Sequence, residues 1–176
     1  NSDLEIVLVG DEALLQEKLK AYPKKGNIVV KHASQVIGMH EQPVLAVRQK
    51  KQSSLHIAMR LAKESEADGV VSAGNTGAVM VAARTILGSI PGVSRSAISQ
   101  AFPTMKGAVV LLDLGANVDC TTRQLCEFAE MGVAYSTYTL GVEEPRVALL
   151  NIGEEGGKGG AVAREVYHTL SAARHV

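Results

Sequence analysis

The stretch Ser72-Ala-Gly-Asn-Thr-Gly77 decides how the rest of the chain is read. It follows a short apolar run, Gly69-Val-Val71, and precedes a small-residue apolar segment from Ala78 to Ile90. A strand that stops at glycines and a Ser/Asn/Thr cluster, then opens a helix, leaves backbone N–H groups converging on one spot. The helix dipole adds about half a positive charge there, and Asn75 or Thr76 can cap while supplying a side-chain donor. Such a turn suits an anion. A plain βα turn, in which Gly74 takes a positive φ and Asn75 merely caps, fits the same letters, so this stretch alone leaves both readings open.

Downstream the pattern returns. The apolar run Ala108-Val-Val-Leu-Leu112 predicts a strand that ends in Asp113-Leu-Gly-Ala-Asn-Val-Asp119, after which Thr121 or Thr122 opens an amphipathic helix through Leu125, Phe128, Ala129 and Val133. Arg146 to Asn151 predicts another strand, Ile152 to Gly160 its glycine-rich exit loop, and Ala161 to about Ala173 a closing helix. Strand, polar glycine loop and helix thus recur three times from residue 69 onward. In open α/β sheets, ligands bind outside the carboxyl ends of the strands. The loops at 72–77, 113–119 and 151–160 are therefore expected to face one crevice.

Upstream, Leu4 to Val9 reads as a buried strand. Asp11 caps a helix over Glu12 to Tyr22 with Leu14, Leu15 and Leu19 on one face, Pro23 and Gly26 end it, and Asn27 to His32 forms a second strand. A parallel β-α-β pair is the default for this order. Residues 34–43 read as loop, and a helical stretch runs from Val44 to Glu66. Inside it, Arg48-Gln-Lys-Lys-Gln-Ser-Ser54 is either a solvated helix face or an anion clamp at a helix break where Ser53 or Ser54 starts the next turn. A strand near Ala97 to Ala101 is expected to end at Phe102-Pro103-Thr104. The class is α/β with a mostly parallel sheet, in a single domain over 1–176. Both ends read as cuts through a larger domain, because a buried strand opens the chain with no run-in and a helical pattern closes it.

Composition narrows the functions. Lys+Arg and Asp+Glu both number 18, so no global field recruits nucleic acid or an anionic surface. Aromatics make up only 3% of the chain and Trp is absent, which argues against base-stacking platforms. Cys120 and Cys126 stand outside any CxxC or zinc-ligand spacing and read as thiols of a reducing cytoplasm.

The loops exclude some chemistry as well. Gly153 and Lys158 are one residue too close for a phosphate-binding P-loop, Gly159 stands where Ser or Thr would hold magnesium, and no dinucleotide fingerprint follows a strand. Asp113 and Asp119 are weak metal ligands on spacing alone, and Asp113 is expected to bond backbone N–H groups. What remains is a set of neutral hydrogen-bonders, Ser72, Asn75, Thr76 and Asn117, with backbone donors and Lys158 as a cation. Such a site fits a substrate that brings its own nucleophile, as inorganic phosphate does when it attacks an acyl thioester.

Six ordered motifs carry a resemblance. They are Leu8-Val-Gly-Asp11, the segment Glu41 to Ser54, Ser72 to Ala78, Leu112 to Asp119, Met131-Gly132, and Pro145 to Glu154. In order and spacing they resemble the bacterial phosphate acyltransferase family of phospholipid synthesis. The resemblance implies transfer of a fatty acyl group from acyl carrier protein to inorganic phosphate, giving acyl phosphate. It implies a three-layer αβα fold similar to isocitrate and isopropylmalate dehydrogenases, a homodimer, no metal or organic cofactor, and no nucleic acid. It also implies a cytoplasmic protein that contacts the inner face of the membrane through regions outside this sequence. Lys158 matches a lysine regarded as catalytic in the family, although Glu155-Gly-Gly-Lys158 lacks the paired lysines of relatives. Asn75 and Asn117 are assigned catalytic roles beside it. Phosphate binding falls to Ser72, Gly74, Asn75, Thr76, Gly77, Asp113, Gly115, Asn117, Arg48 and Lys51. The rival readings are a phosphate acetyl- or butyryltransferase using coenzyme A thioesters, and a phosphate-binding fragment that turns nothing over.

Overall fold

The computed structural model describes residues 4–22, 26–115, 117, 119–151, 153 and 159–173. It divides into two compact units, residues 1–89 and 90–176. Both units are mixed α/β.

The first unit opens with β1 (Glu5–Gly10), α1 (Glu12–Leu19) and β2 (Asn27–His32). The two strands pair in parallel from Glu5↔Asn27 to Gly10↔His32, as the β-α-β reading expects. Asp11 stops β1 and starts α1, because its extended backbone lets Oδ1 accept the Leu14 N–H at 2.9 Å. After a loop come α2 (Pro43–Gln49), α3 (Ser54–Lys63), α4 (Thr76–Ala82) and a π-helical turn over 83–87 that closes at Gly88. The unit's core is Ile37, Ala46, Val47, Leu55, Met59, Ala78, Ala82 and Ile86. Each of its larger aliphatic side chains contributes about 1.5–3 kcal/mol by leaving water.

Two expectations fail in this unit. The helical stretch from Val44 to Glu66 is two helices, because Ser53 accepts the His56 N–H at 3.3 Å as the cap of α3. Gln35 also bridges to Ser53, with the Ser54 N–H donating to the Gln35 carbonyl at 3.1 Å. These bonds take residues 50–53 out of the helical path. The strand expected at Gly69 to Ser72 is irregular. Val70 packs on the core while Val71 is fully exposed. Among the described residues no strand pairs with this run, and without a neighbour its backbone groups cannot form a ladder.

The second unit holds β3 (Ser99–Thr104), β4 (Gly107–Leu112), α5 (Thr122–Leu140) and α6 (Ala161–Ser171). The strands form an antiparallel hairpin, since the two residues between Thr104 and Gly107 cannot span the crossover that a parallel pair requires. β3 continues through Phe102, Pro103 and Thr104, which were expected to end it. Helix α5 starts at a capping box in which Thr121 and Gln124 satisfy each other's backbone N–H, and ends at Gly141 in the left-handed conformation. It lies so close on β4 that a Cβ at Gly132 would sit 2.8 Å from Leu112 Cδ1. Phe128 and Ala129 of α5 and Val166 of α6 are buried. The segment from Arg146 to Asn151, expected as a strand, has no regular secondary structure. In place of a mostly parallel sheet, the described strands form one parallel pair and one antiparallel pair.

Candidate functional site

The turn at 72–77 is held by its own side chains. Ser72 Oγ accepts the Gly74 N–H at 3.2 Å, and Gly74 does not take a positive φ. Asn75 caps α4 by accepting the Ala78 N–H on Oδ1 at 3.0 Å. Its Nδ2 donates toward the carbonyls of Gly38, Met39 and Glu41 at 3.3, 3.2 and 3.0 Å. An amide has two N–H donors, so three surrounding acceptors leave none over. Asn75 is buried and works here as a staple between loop 38–41 and α4. Thr76 is exposed at the helix start, and Gly77 lies so tightly on Pro43 that a Cβ would come within 2.7 Å of its ring.

The 38–41 loop is fastened from the other side too. Lys50 Nζ donates to Glu41 Oε1 at 2.6 Å and to the Val36 carbonyl at 2.8 Å, while Glu41 also accepts the Gly38 N–H. That backbone bond, followed by the Lys50 interaction, holds the Glu41 carboxyl below the usual carboxylate range. Lys50 is therefore engaged in the fold, whereas Arg48 and Lys51 are exposed on either side of it.

His56 is buried in α3, and its Nδ1 has no hydrogen-bond partner among the described residues. Burial pushes its imidazole below the ordinary value, and the charges of Lys51 and Arg60 add to the effect.

In the second unit, the loop after β4 gathers Asp113, Asn117 and Cys120. Asp113 adopts a left-handed backbone at φ 63°, a conformation that costs a non-glycine residue about 1–2 kcal/mol. Its backbone N–H donates to the Ile98 carbonyl at 2.8 Å, and its carbonyl accepts the Gly115 N–H at 2.8 Å. Gly115 also has a positive φ, 82°, which suits a residue without a Cβ. Asp113 Oδ1 accepts from Asn117 Nδ2 at 2.7 Å, and Oδ2 accepts from the Cys120 thiol at 3.3 Å. Asn117 is buried and donates as well to the Ser96 carbonyl at 3.3 Å. Asp113 was expected to bond backbone N–H groups; side chains four and seven positions ahead supply the donors seen here instead. Burial, with Asp113 next, pushes the Cys120 thiol up.

Lys158 lies outside the described residues. Among those described, no group of three or more His, Cys, Asp or Glu could hold a metal ion. A groove of about 570 Å³ runs between α5 and α6, touching Arg123, Cys126, Glu127, Glu130 and Glu165. Three carboxylates against one guanidinium make it a poor host for phosphate. None of the residues assigned to phosphate lines it.

Sequence reasoning singled out Asn75, Asp113 and Asn117 but missed what fastens them. Glu41 and Lys50 lie inside quoted motifs, yet nothing in one sequence pairs residues nine apart across a helix start. Cys120 was set aside for lacking metal spacing, although an Asp, an Asn and a Cys at intervals of four and three within one loop were there to be read.

Comparison with known proteins agrees with the motifs. The family model described as fatty acid synthesis protein matches residues 1–176. A phosphate acyltransferase of Gloeothece citriformis (strain PCC 7424) is 45% identical over 172 residues, covering 97% of this chain and 49% of the relative. Phosphate acyltransferases of Syntrophomonas wolfei subsp. wolfei and Dictyoglomus thermophilum are 49% and 48% identical, covering 94% and 96% of this chain. They are covered to 52% and 51% of their own lengths, so the chain spans about half the length of the curated relatives it matches. With its whole length matched and these acyltransferases among its relatives, the chain belongs to the fatty acid synthesis protein family.

Proposed function

We propose that the protein is a phosphate acyltransferase that moves a fatty acyl group from acyl carrier protein to inorganic phosphate. A phosphate oxygen attacks the thioester carbonyl carbon, the resulting tetrahedral oxyanion collapses, and the C–S bond breaks as the new C–O bond is kept. The carrier thiolate leaves and takes up a proton, and acyl phosphate is the product. Phosphate is already ionised near neutral pH, so no side-chain nucleophile is required. The protein's task is to position the reactants and stabilise charge.

The observation that supports this reading is the loop after β4. Asp113 is held at φ 63°, beside a buried Asn117, in the loop between the end of β4 and the cap of α5. Gly115, Asn117 and the loop backbone are assigned to phosphate, as are Ser72, Gly74, Thr76 and Gly77 in the first unit, with Arg48 and Lys51 as exposed cations. Asn75 is assigned to shaping its turn. Lys158 is assigned to the developing negative charge.

In the full-length enzyme, Lys158→Ala is expected to lower acyl phosphate formation by about 100-fold or more, the scale of losing one electrostatic stabiliser. Unchanged turnover overturns that role. Offering acyl carrier protein and coenzyme A thioesters side by side separates this reading from a short-chain phosphate acyltransferase, and calorimetry with phosphate beside a turnover assay identifies a fragment that only binds. The three-layer αβα, dehydrogenase-like fold, the homodimer and peripheral membrane contact belong to the same proposal. A structure, sedimentation and vesicle co-sedimentation of the full-length protein test them.

A further inference from the structure

We infer that Cys120 is a positioning residue for Asp113. Its thiol proton and the Asn117 amide together fasten the carboxylate inside loop 113–120, and this keeps the loop receptive to phosphate. The inference rests on the proposed phosphate role of that loop.

The carboxylate can only accept, so each of its oxygens needs a donor. Oδ1 has Asn117 at 2.7 Å and Oδ2 has Cys120 at 3.3 Å. Both donors come from the loop that Asp113 itself begins, and the thiol sits directly before Thr121, the cap of α5. The bonds therefore close a ring from the end of β4 to the start of α5. Asp113 holds a left-handed backbone at φ 63°, and both of its carboxylate oxygens are engaged inside this ring.

Without the thiol proton, Oδ2 keeps its charge and loses its partner. The carboxylate is then released to turn, Asn117 loses its 2.7 Å contact, and the loop loses the shape that receives phosphate. A thiol whose proton is held at neutral pH suits this duty and is ill suited to act as a nucleophile.

The test is steady-state kinetics of the full-length enzyme with phosphate as the varied substrate, comparing Cys120→Val, Cys120→Ala, Cys120→Ser and Asp113→Ala. Val and Ala remove the donor; Ser keeps one. The expected result is a phosphate KM raised about tenfold in Cys120→Val and Cys120→Ala with kcat within about twofold, the scale of one hydrogen bond to a charged group, and restoration by Ser. Should Val fail to fold, Ala carries the comparison. Equal behaviour of Ser and Ala, or an unchanged KM in both donor-free variants, overturns the inference. If Asp113→Ala leaves the phosphate KM unchanged, the phosphate role of the loop fails with it. If Asp113→Ala raises KM and the donor-free Cys120 variants do not, only the thiol's part fails.

Discussion

Asn75 joins the start of α4 to carbonyls at positions 38, 39 and 41 through a single buried amide. Asn75→Ala removes a cap and strands those carbonyls, so about 2–4 kcal/mol of stability is expected to be lost in urea unfolding. Asn75→Asp keeps the cap but turns a charge toward the same carbonyl oxygens, and is expected to lose a comparable amount. A loss under about 1 kcal/mol in both variants contradicts the staple. Glycines beside such a residue are easily read as a phosphate turn. The acceptors of the side-chain nitrogen lie over thirty residues away, at distances that no local pattern encodes.

Elements whose signals are local were legible. Asp11 announces its helix, and Thr121 or Thr122 the next long one, since cap and first turn lie within a few residues. The break between α2 and α3 was only half legible, because Ser53 is a good cap but the Gln35 bridge that diverts the chain is remote. Gly69 to Ser72 misled because apolar composition marks burial, while strand identity depends on a neighbour. Of the candidate site, the loop letters at 113–119 were readable, but not the thiol that closes the loop. At the contact of α2 with α4, Gly77→Ala places a methyl against the rigid Pro43 ring, which cannot rotate away. About 1–3 kcal/mol of destabilisation is expected from such overpacking, read as a lower urea midpoint with an unchanged slope. A midpoint equal to wild type would mean that α4 shifts freely.

Across the whole molecule, titration sets a bounded stability range. The His56 imidazole lies below its ordinary 6.5, so the unfolded chain binds its proton first and stability falls as pH drops below about that value. Glu41 and Glu127, both held below 4.5, take away more in stronger acid as they protonate. At the other end, Cys120 and Cys126 lie above 9.0. Their contribution is complete below 9.0 and declines as pH rises through their folded-state values. Urea midpoints are thus expected to be highest between about pH 7 and 9 and lower at pH 5 and pH 10; a midpoint that keeps rising to pH 10 refutes this.

That favourable range includes the isoelectric point near 7.1, where chains do not repel one another and exposed sheet rims become a hazard. Pro103, paired with Ala108, answers it on one side. Proline sits in a ladder only where its nitrogen faces away from the partner, so the outer rim of β3 lacks a rung. A stray strand from another molecule finds no continuous template there, and the hairpin resists seeding a fibril along that margin.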